Sequence, residues 1–218
     1  MSLLNSLSDL FFPPKCVFCH KLLYEEDGSV CAECRETIRI LDFPECVIPD
    51  IEGVDIAIAP LYYEGDVRKS LHRFKFYGNS FYASTYADII CKAFNRGELD
   101  CDIVTWIPLA KKRLKKRGYD QAGLIAQEIS KRIAVPCFRT VKKVKNVRPQ
   151  SSLKMASDRA DNIKNAYVLS SSVPLAGKRI LLVDDIITTG STVREAALVL
   201  RKAGVSRITA AALTKSKK

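Results

Sequence analysis

The 218-residue sequence has no long apolar run and no leading positive charge. Its apolar stretches fall short of the roughly 18 residues that a bilayer-spanning helix needs. The first fifteen residues, MSLLNSLSDLFFPPK, are interrupted by polar side chains, which favours an amphipathic lead-in helix over a signal peptide. With 47% hydrophobic and 27% charged residues the chain can bury a core, and this composition excludes global disorder. We therefore expect a soluble, cytoplasmic protein.

Acidic residues are scarce between positions 111 and 148. This stretch holds thirteen Lys and Arg residues against only Asp120 and Glu128, a net charge of +11 that equals the excess of the whole chain. A positive field confined to one stretch favours a polyanionic ligand, either nucleic acid or a compact phosphorylated metabolite. A solvated basic face that serves solubility is the alternative interpretation.

The eight cysteines are distributed unlike a disulfide framework. Four of them form two Cys-x2-Cys pairs separated by eleven residues, whereas the cysteines at 46, 91, 101 and 137 are isolated. Two such pairs can supply four thiolates to a structural zinc ion, and four thiolates leave no open position for catalysis. The spacing therefore predicts a zinc ribbon or knuckle that binds structural zinc through Cys16, Cys19, Cys31 and Cys34.

Two domains are predicted from the changes in composition along the chain. Residues 43–53 contain two prolines, a glycine and several acidic residues, a composition typical of a linker. We assign residues 1–48 to the zinc module with its lead-in helix and residues 54–218 to a second domain. Within that domain a strand and turn are predicted over 56–65, and helical spacing over 66–94 is broken at Gly78 and Asn79.

The remainder of the chain alternates between strand and helix. Strands are predicted over 103–107, 135–141, 179–183 and 208–213, with a basic loop over 111–118 and a polar segment over 142–165. Helices are predicted after the capping residue Asp120 and from about Val193 to a stop at Gly204. Such alternation is typical of an α/β fold with a parallel sheet flanked by helices on both faces.

The most specific motif follows the apolar run at 180–183. Asp184 and Asp185 come next, and then a hydroxyl-rich turn with one glycine, made of Thr188, Thr189, Gly190, Ser191 and Thr192. Ligands of parallel sheets bind beyond the carboxyl ends of the strands, where backbone N–H groups at a helix N-terminus can hold a phosphate. Paired carboxylates repel phosphate, so they would accept hydrogen bonds from vicinal hydroxyls or help to hold a divalent ion.

This motif resembles the fingerprint of type I phosphoribosyltransferases, which bind phosphoribosyl pyrophosphate. The resemblance implies a type I phosphoribosyltransferase-like fold for the second domain. It also implies that Asp184 and Asp185, the candidate catalytic residues, meet the ribose 2′ and 3′ hydroxyls. The turn at 188–192 would then hold the 5′-phosphate of the ligand.

Further segments resemble the ComF family of competence-associated, phosphoribosyltransferase-like proteins over nearly the whole chain. Besides the zinc pairs, they are LYYEG at 61–65, FKFYG at 74–78, IPL at 107–109, RGYDQ at 117–121 and RPQ at 148–150. Two positions depart from that family, which commonly has asparagine where Asp120 stands and proline where Trp106 stands. Asp120 still caps a helix but adds negative charge near the phosphates.

The ComF resemblance implies further site residues. A pyrophosphate loop is formed by Leu109, Ala110 and Lys111, with Arg113 and Arg117 as candidates for charge neutralisation and Gln121 as a hydrogen-bond donor. Arg148, Gln150 and Arg159 correspond to a lid over the site. If the protein is an enzyme, a nucleophile displaces pyrophosphate from C1 of the ribose with the help of Mg²⁺. No motif identifies the acceptor.

A second function is a single-stranded DNA-binding protein, and the two functions are compatible. The ComF family is associated with natural transformation and DNA uptake, and its members are linked to a DNA-translocating helicase. Lys142, Lys143 and Lys145 are candidate nucleic-acid contacts, because grooves for single-stranded DNA combine cations with aromatic side chains. A scaffold whose zinc module docks another protein is a third possibility.

Overall fold

The computed structural model describes residues 13–24, 28–77, 80–144 and 166–217. In chain order the elements are α1 (Ala32–Thr37), β1 (Val47–Ile48), β2 (Ile56–Ile58), β3 (Leu61–Tyr62), α2 (Gly65–Tyr77), α3 (Ser80–Arg96), β4 (Ile103–Trp106), α4 (Lys111–Arg117), α5 (Gln121–Ile133), β5 (Val141–Lys143), β6 (Tyr167–Leu169), β7 (Arg179–Ile187), α6 (Ser191–Lys202) and β8 (Arg207–Lys215). Several predictions fall outside these residues: the lead-in helix, the break at Gly78 and Asn79, the nucleic-acid candidate Lys145, and the lid residues Arg148, Gln150 and Arg159.

The main sheet has the order β1-β2-β8-β7-β4, and β3 also pairs with β8. All of its pairings are parallel except that of β1 with β2. The strands β5 and β6 form a separate antiparallel pair. The predicted parallel sheet is therefore confirmed, with a small two-stranded sheet beside it.

Helices cover both faces of the sheet because the strand residues alternate in direction. Leu181 and Val183 of β7 belong to one buried cluster, which also contains Ile125 and Ile129 of α5. Ile180 and Leu182 belong to the opposite cluster, together with the apolar side of α6. Among the described residues, no helix is long and apolar enough to cross a bilayer.

The zinc module packs directly on α2. Ser70, which is fully buried, donates to the carbonyl oxygen of Val17 at 2.5 Å, and its hydroxyl lies 2.5 Å from that of Tyr86. The guanidinium of Arg73 donates to the carbonyl oxygen of Phe18. Val17 and Phe18 belong to the same buried cluster as the core of the sheet, so the core is continuous across the expected linker.

Four local predictions differ from the structure. The expected loop at 111–118 is mostly helix α4, because its Lys, Arg and Leu residues favour helix and Gly118, with φ of 82°, ends it. The strand expected at 135–141 forms only at Val141, as β5, after Pro136. The expected linker contains β1, and the strand expected at 179–183 continues through Asp184 and Asp185 to Ile187.

Candidate functional site

The acidic pair lies inside a paired strand and beside the end of its neighbour. Asp184 is in register with Ala212 of β8, and Val183 with Trp106, the last residue of β4. The N–H of Ile107 then donates to the carbonyl oxygen of Val183 at 2.9 Å. The chain that leaves β4 toward residues 109–111 therefore starts next to the carboxylates. Parallel strands bring these two segments together at one sheet edge, as the sequence predicts.

Lys75 neutralises the acidic pair and was not predicted as a site residue. Its Nζ lies 3.1 Å from Oδ2 of Asp185, and only 22% and 16% of the two side chains are exposed. Asp185 holds the pKa of Lys75 above its usual value. The pKa of Asp184 is raised well above its usual value by burial and by the negative charge of Asp185. The pair thus has a protein cation on one carboxylate and a strong tendency toward the neutral acid on the other.

The hydroxyl-rich turn begins where β7 ends and leads into α6. Thr188 and Thr189 are exposed, and the hydroxyls of Thr189 and Ser191 lie 2.8 Å apart. Gly190 is the N-cap of α6 with φ of 74°, a conformation that disfavours residues with a Cβ. A Cβ added there would lie 3.0 Å from the side chain of Ile51. Glycine is therefore needed for the turn itself and for contact with the 49–55 segment.

Asp120 is hydrogen-bonded to the backbone of the expected pyrophosphate loop. Its Oδ2 accepts from the N–H of Leu109 at 3.0 Å and from Nε1 of Trp106 at 3.3 Å. Its Oδ1 accepts from the N–H of Gly123 at 3.4 Å, which confirms that Asp120 caps the helix α5. Burial raises the pKa of Asp120. The two residues that depart from the ComF pattern, Trp106 and Asp120, are thus hydrogen-bonded to each other.

Gln121 lies beneath the site, with its amide bonded to other protein groups. Its side chain is buried; the carbonyl oxygen accepts from Arg117 at 3.0 Å and the nitrogen donates to the carbonyl oxygen of Lys75 at 3.4 Å. The hydroxyl of Tyr119 donates to the carbonyl oxygen of Phe74, the residue before Lys75 in α2. Both side chains satisfy backbone acceptors near the C-terminus of α2, so they hold the segment that carries Lys75.

The remaining basic candidates occupy two different environments. Lys111, on the first turn of α4, and Lys142, on β5, are exposed. Arg113, Arg117 and Lys143 are partly buried. The basic stretch is therefore not one uniform solvated face.

The four paired cysteines form the predicted metal cluster. The Sγ atoms of Cys16, Cys19, Cys31 and Cys34 all lie within 4.8 Å of one another. Those of Cys19 and Cys31 are 3.6 Å apart, close to the separation of about 3.8 Å that Zn–S bonds of about 2.3 Å impose in a tetrahedron. The N–H of Cys31 donates to Sγ of Cys16 at 3.4 Å, as in thiolate sites with backbone donors. This donor set fits structural zinc.

Comparison with known protein families gives two matches. The phosphoribosyl transferase domain family matches residues 114–218, and the double zinc ribbon domain family matches residues 7–48. Competence protein F of Haemophilus influenzae is 29% identical over 91% of this chain and 95% of its own length. The chain therefore resembles the ComF proteins over most of its length.

Other relatives show the same resemblance to competence and DNA utilization proteins. The DNA utilization protein YhgH of Salmonella typhimurium is 26% identical over 91% of this chain and 96% of its own length. Competence protein ComFC of Streptococcus pneumoniae is 24% identical over 86% of this chain and 88% of its own length. The two family matches and the four-cysteine cluster confirm the type I phosphoribosyltransferase fold and the N-terminal zinc ribbon that the sequence motifs predict.

Proposed function

We propose that this protein binds phosphoribosyl pyrophosphate together with Mg²⁺. Three segments support the proposal because they meet at one sheet edge: the acidic pair, the hydroxyl-rich turn, and the loop of Leu109, Ala110 and Lys111. In this arrangement Asp184 and Asp185 accept hydrogen bonds from the ribose hydroxyls. The turn at 188–192 binds the 5′-phosphate, and the loop binds the pyrophosphate.

The reaction that suits this arrangement is transfer of the phosphoribosyl group to a nucleophile. The bond from C1 to the pyrophosphate oxygen breaks, the nucleophile bonds to C1, and pyrophosphate leaves. Mg²⁺, which the carboxylates of Asp184 and Asp185 could help to hold, would neutralise the charge of the leaving group. Lys111, Arg113 and Arg117 supply fixed positive charge near the loop, and Asp120 orients the N–H of Leu109 so that the loop needs little reorganisation. The acceptor nucleophile is left open.

Calorimetry with phosphoribosyl pyrophosphate and Mg²⁺ tests this function. The wild type is expected to bind, and a D184N/D185N variant should bind at least about tenfold more weakly, because a hydrogen bond to the charged Asp185 carboxylate alone contributes about 1.5–3 kcal/mol. The control is D88N, since Asp88 is an exposed residue of α3 that pairs with Lys92. Equal affinities of the wild type and the double variant would refute the assignment of the acidic pair.

The names of the relatives, competence protein and DNA utilization protein, support a link between the proposed activity and DNA uptake. Single-stranded DNA binding is the second candidate function, with a DNA-translocating helicase as a partner. Its support is α4, which has four exposed lysines, Lys111, Lys112, Lys115 and Lys116. Lys142 adds an exposed charge on β5.

We expect the affinity for DNA to depend strongly on the salt concentration. Neutralising phosphates releases counterions, so the affinity for a labelled single-stranded oligonucleotide is expected to fall by orders of magnitude between about 50 and 200 mM salt. Fluorescence anisotropy measures it, and a K112E/K115E/K116E variant should bind more weakly at each salt concentration. The control is K69E, a charge reversal outside α4, because Lys69 is exposed on α2 and pairs with Asp66. An oligonucleotide that fails to bind at 50 mM salt would exclude this function.

A further inference from the structure

Neighbouring lysines on β5 face opposite sides of the small sheet. Lys142 pairs with Val168 and is exposed, whereas Lys143 pairs with Tyr167 and is partly buried. This alternation is a property of every strand, because successive side chains point to opposite faces. The sequence predicts one nucleic-acid surface for both lysines, but the strand places them on opposite faces.

The position of the small sheet relative to the proposed ligand site is fixed by buried contacts. The hydroxyl of Thr140, just before β5, lies 2.8 Å from that of Thr105 on β4, and the N–H of Thr140 bonds to the same hydroxyl oxygen at 3.3 Å. Both threonines are fully buried. Since Thr105 immediately precedes the end of β4, the strand β5 is tied to the element that leads into the pyrophosphate loop.

The ammonium group of Lys143 contacts Tyr167 and interacts electrostatically with two residues of the proposed site. Its Nζ donates to the hydroxyl oxygen of Tyr167 at 3.1 Å and lies 5.0 Å from the centre of that ring. The charged groups that act on it come from two other elements, Arg113 of α4 and Asp184 of β7. Tyr167 is itself buried, and Asp184 adds to the effect of burial in raising its pKa, so the phenol stays protonated.

We propose that Lys143 is a ligand-facing cation of the phosphoribosyl pyrophosphate site, and that it contacts the phosphates of the bound sugar instead of an exposed nucleic acid. The inference rests on the proposed function, since it names a further binding residue of the same site. Lys142, on the opposite face of the strand, has no part in this site.

The electrostatic setting of Lys143 supports this role. Burial and the positive charge of Arg113 lower its pKa to about 8, and Asp184 only partly opposes them. A bound polyanion adds negative charge and favours the protonated amine. Near pH 8 the free protein therefore carries the proton on roughly half of the Lys143 side chains, and the complex carries it on nearly all.

Ligand binding at pH 8 should accordingly take up roughly half a proton per site. The affinity should be highest below the pKa of the free protein and should fall as the pH rises through it, because the deprotonated amine must first gain a proton. Phosphate groups have their second pKa near 6, so their own titration is largely complete at pH 8.

Titration calorimetry at pH 8 in two buffers of different ionisation enthalpy measures this proton uptake. Phosphoribosyl pyrophosphate with Mg²⁺ is the probe for the wild type, K143M, K143R and K142M. We expect the uptake to vanish in K143M, with an affinity at least about fivefold lower. In K143R the affinity should be largely retained without uptake, because arginine does not titrate. K142M should match the wild type in both quantities.

The outcomes separate this inference from the proposed function. Absence of binding by the wild type would refute the function and the inference together. Binding with the same proton uptake in the wild type and in K143M would refute only the role of Lys143. In a parallel anisotropy experiment with a single-stranded oligonucleotide, a loss of binding confined to K143M, with phosphoribosyl pyrophosphate binding unaffected, would return Lys143 to a nucleic-acid role.

Discussion

Protein purified without chelators is expected to contain one zinc ion per chain, and removal of that ion should unfold the N-terminal module. The binding free energy of structural zinc is about 10–16 kcal/mol, which is comparable to or larger than the total stability of most domains. The melting temperature should therefore fall by at least about 10 °C when a strong chelator is added, since about 1 kcal/mol corresponds to 2–4 °C in a protein of this size. Metal analysis by mass spectrometry and thermal unfolding provide the two readouts.

The matched variants for this experiment are C34S and C137S. Cys34 belongs to the four-sulfur cluster, whereas Cys137 is isolated beside β4 and its pKa is raised to about 11 by burial alone. C34S should lose zinc and stability, and C137S should retain the metal. The assignment of the cluster would be overturned if the purified protein contained no zinc and its melting temperature did not change when the chelator was added.

Replacing Asp120 by alanine is expected to destabilise the protein by about 3 kcal/mol and to weaken phosphoribosyl pyrophosphate binding about tenfold. The substitution leaves three N–H donors without their acceptor: those of Leu109 and Gly123 and the indole of Trp106. Loss of a helix cap costs about 1 kcal/mol, and each unsatisfied buried donor costs about 1–3 kcal/mol, reduced here by partial exposure. Urea unfolding and calorimetry measure the two effects.

Two further variants distinguish the roles of this carboxylate. W106F removes one donor and should cost only about 1 kcal/mol. D120N keeps one acceptor oxygen but cannot ionise. Because burial raises the pKa of Asp120, its contribution to stability is largest at low pH and declines as the pH rises above the ordinary aspartate value of 3.8. The stability of D120N relative to the wild type should therefore improve from pH 4 to pH 7. Identical unfolding of D120A and the wild type would disprove this anchoring role.

The local parts of this protein can be predicted from the sequence. The cysteine spacing predicts the four-sulfur cluster, because both pairs lie within residues 16–34. The phosphate site proposed from the aspartate pair and the hydroxyls rests on one contiguous motif. Asp120 is predicted as a helix cap from its position alone. These features depend on residues that are close together in the sequence.

The parts that could not be predicted depend on residues far apart in the sequence. Lys75 meets Asp185 across 110 positions, and nothing in the helical spacing of α2 indicates that pairing. Its one available signal is its place in the FKFYG segment. The sequence predicts the amide of Gln121 as a donor to the ligand, but in the fold it donates to the carbonyl oxygen of Lys75 in α2. The opposite directions of Lys142 and Lys143 follow from their place in β5. The predicted strand at 135–141 ends before both lysines, so it gave no such indication.

The helix α2 connects two sites that the sequence presents as separate. Ser70 and Arg73 bond to the zinc module, and Lys75, at the same end of the helix, bonds to Asp185. A shift of α2 therefore affects both sites together. Thermodynamic reciprocity then applies: the factor by which zinc changes the affinity for a ligand at the acidic pair equals the factor by which that ligand changes the affinity for zinc. Ligand titration with and without zinc, and zinc titration with and without ligand, are therefore expected to give the same coupling free energy.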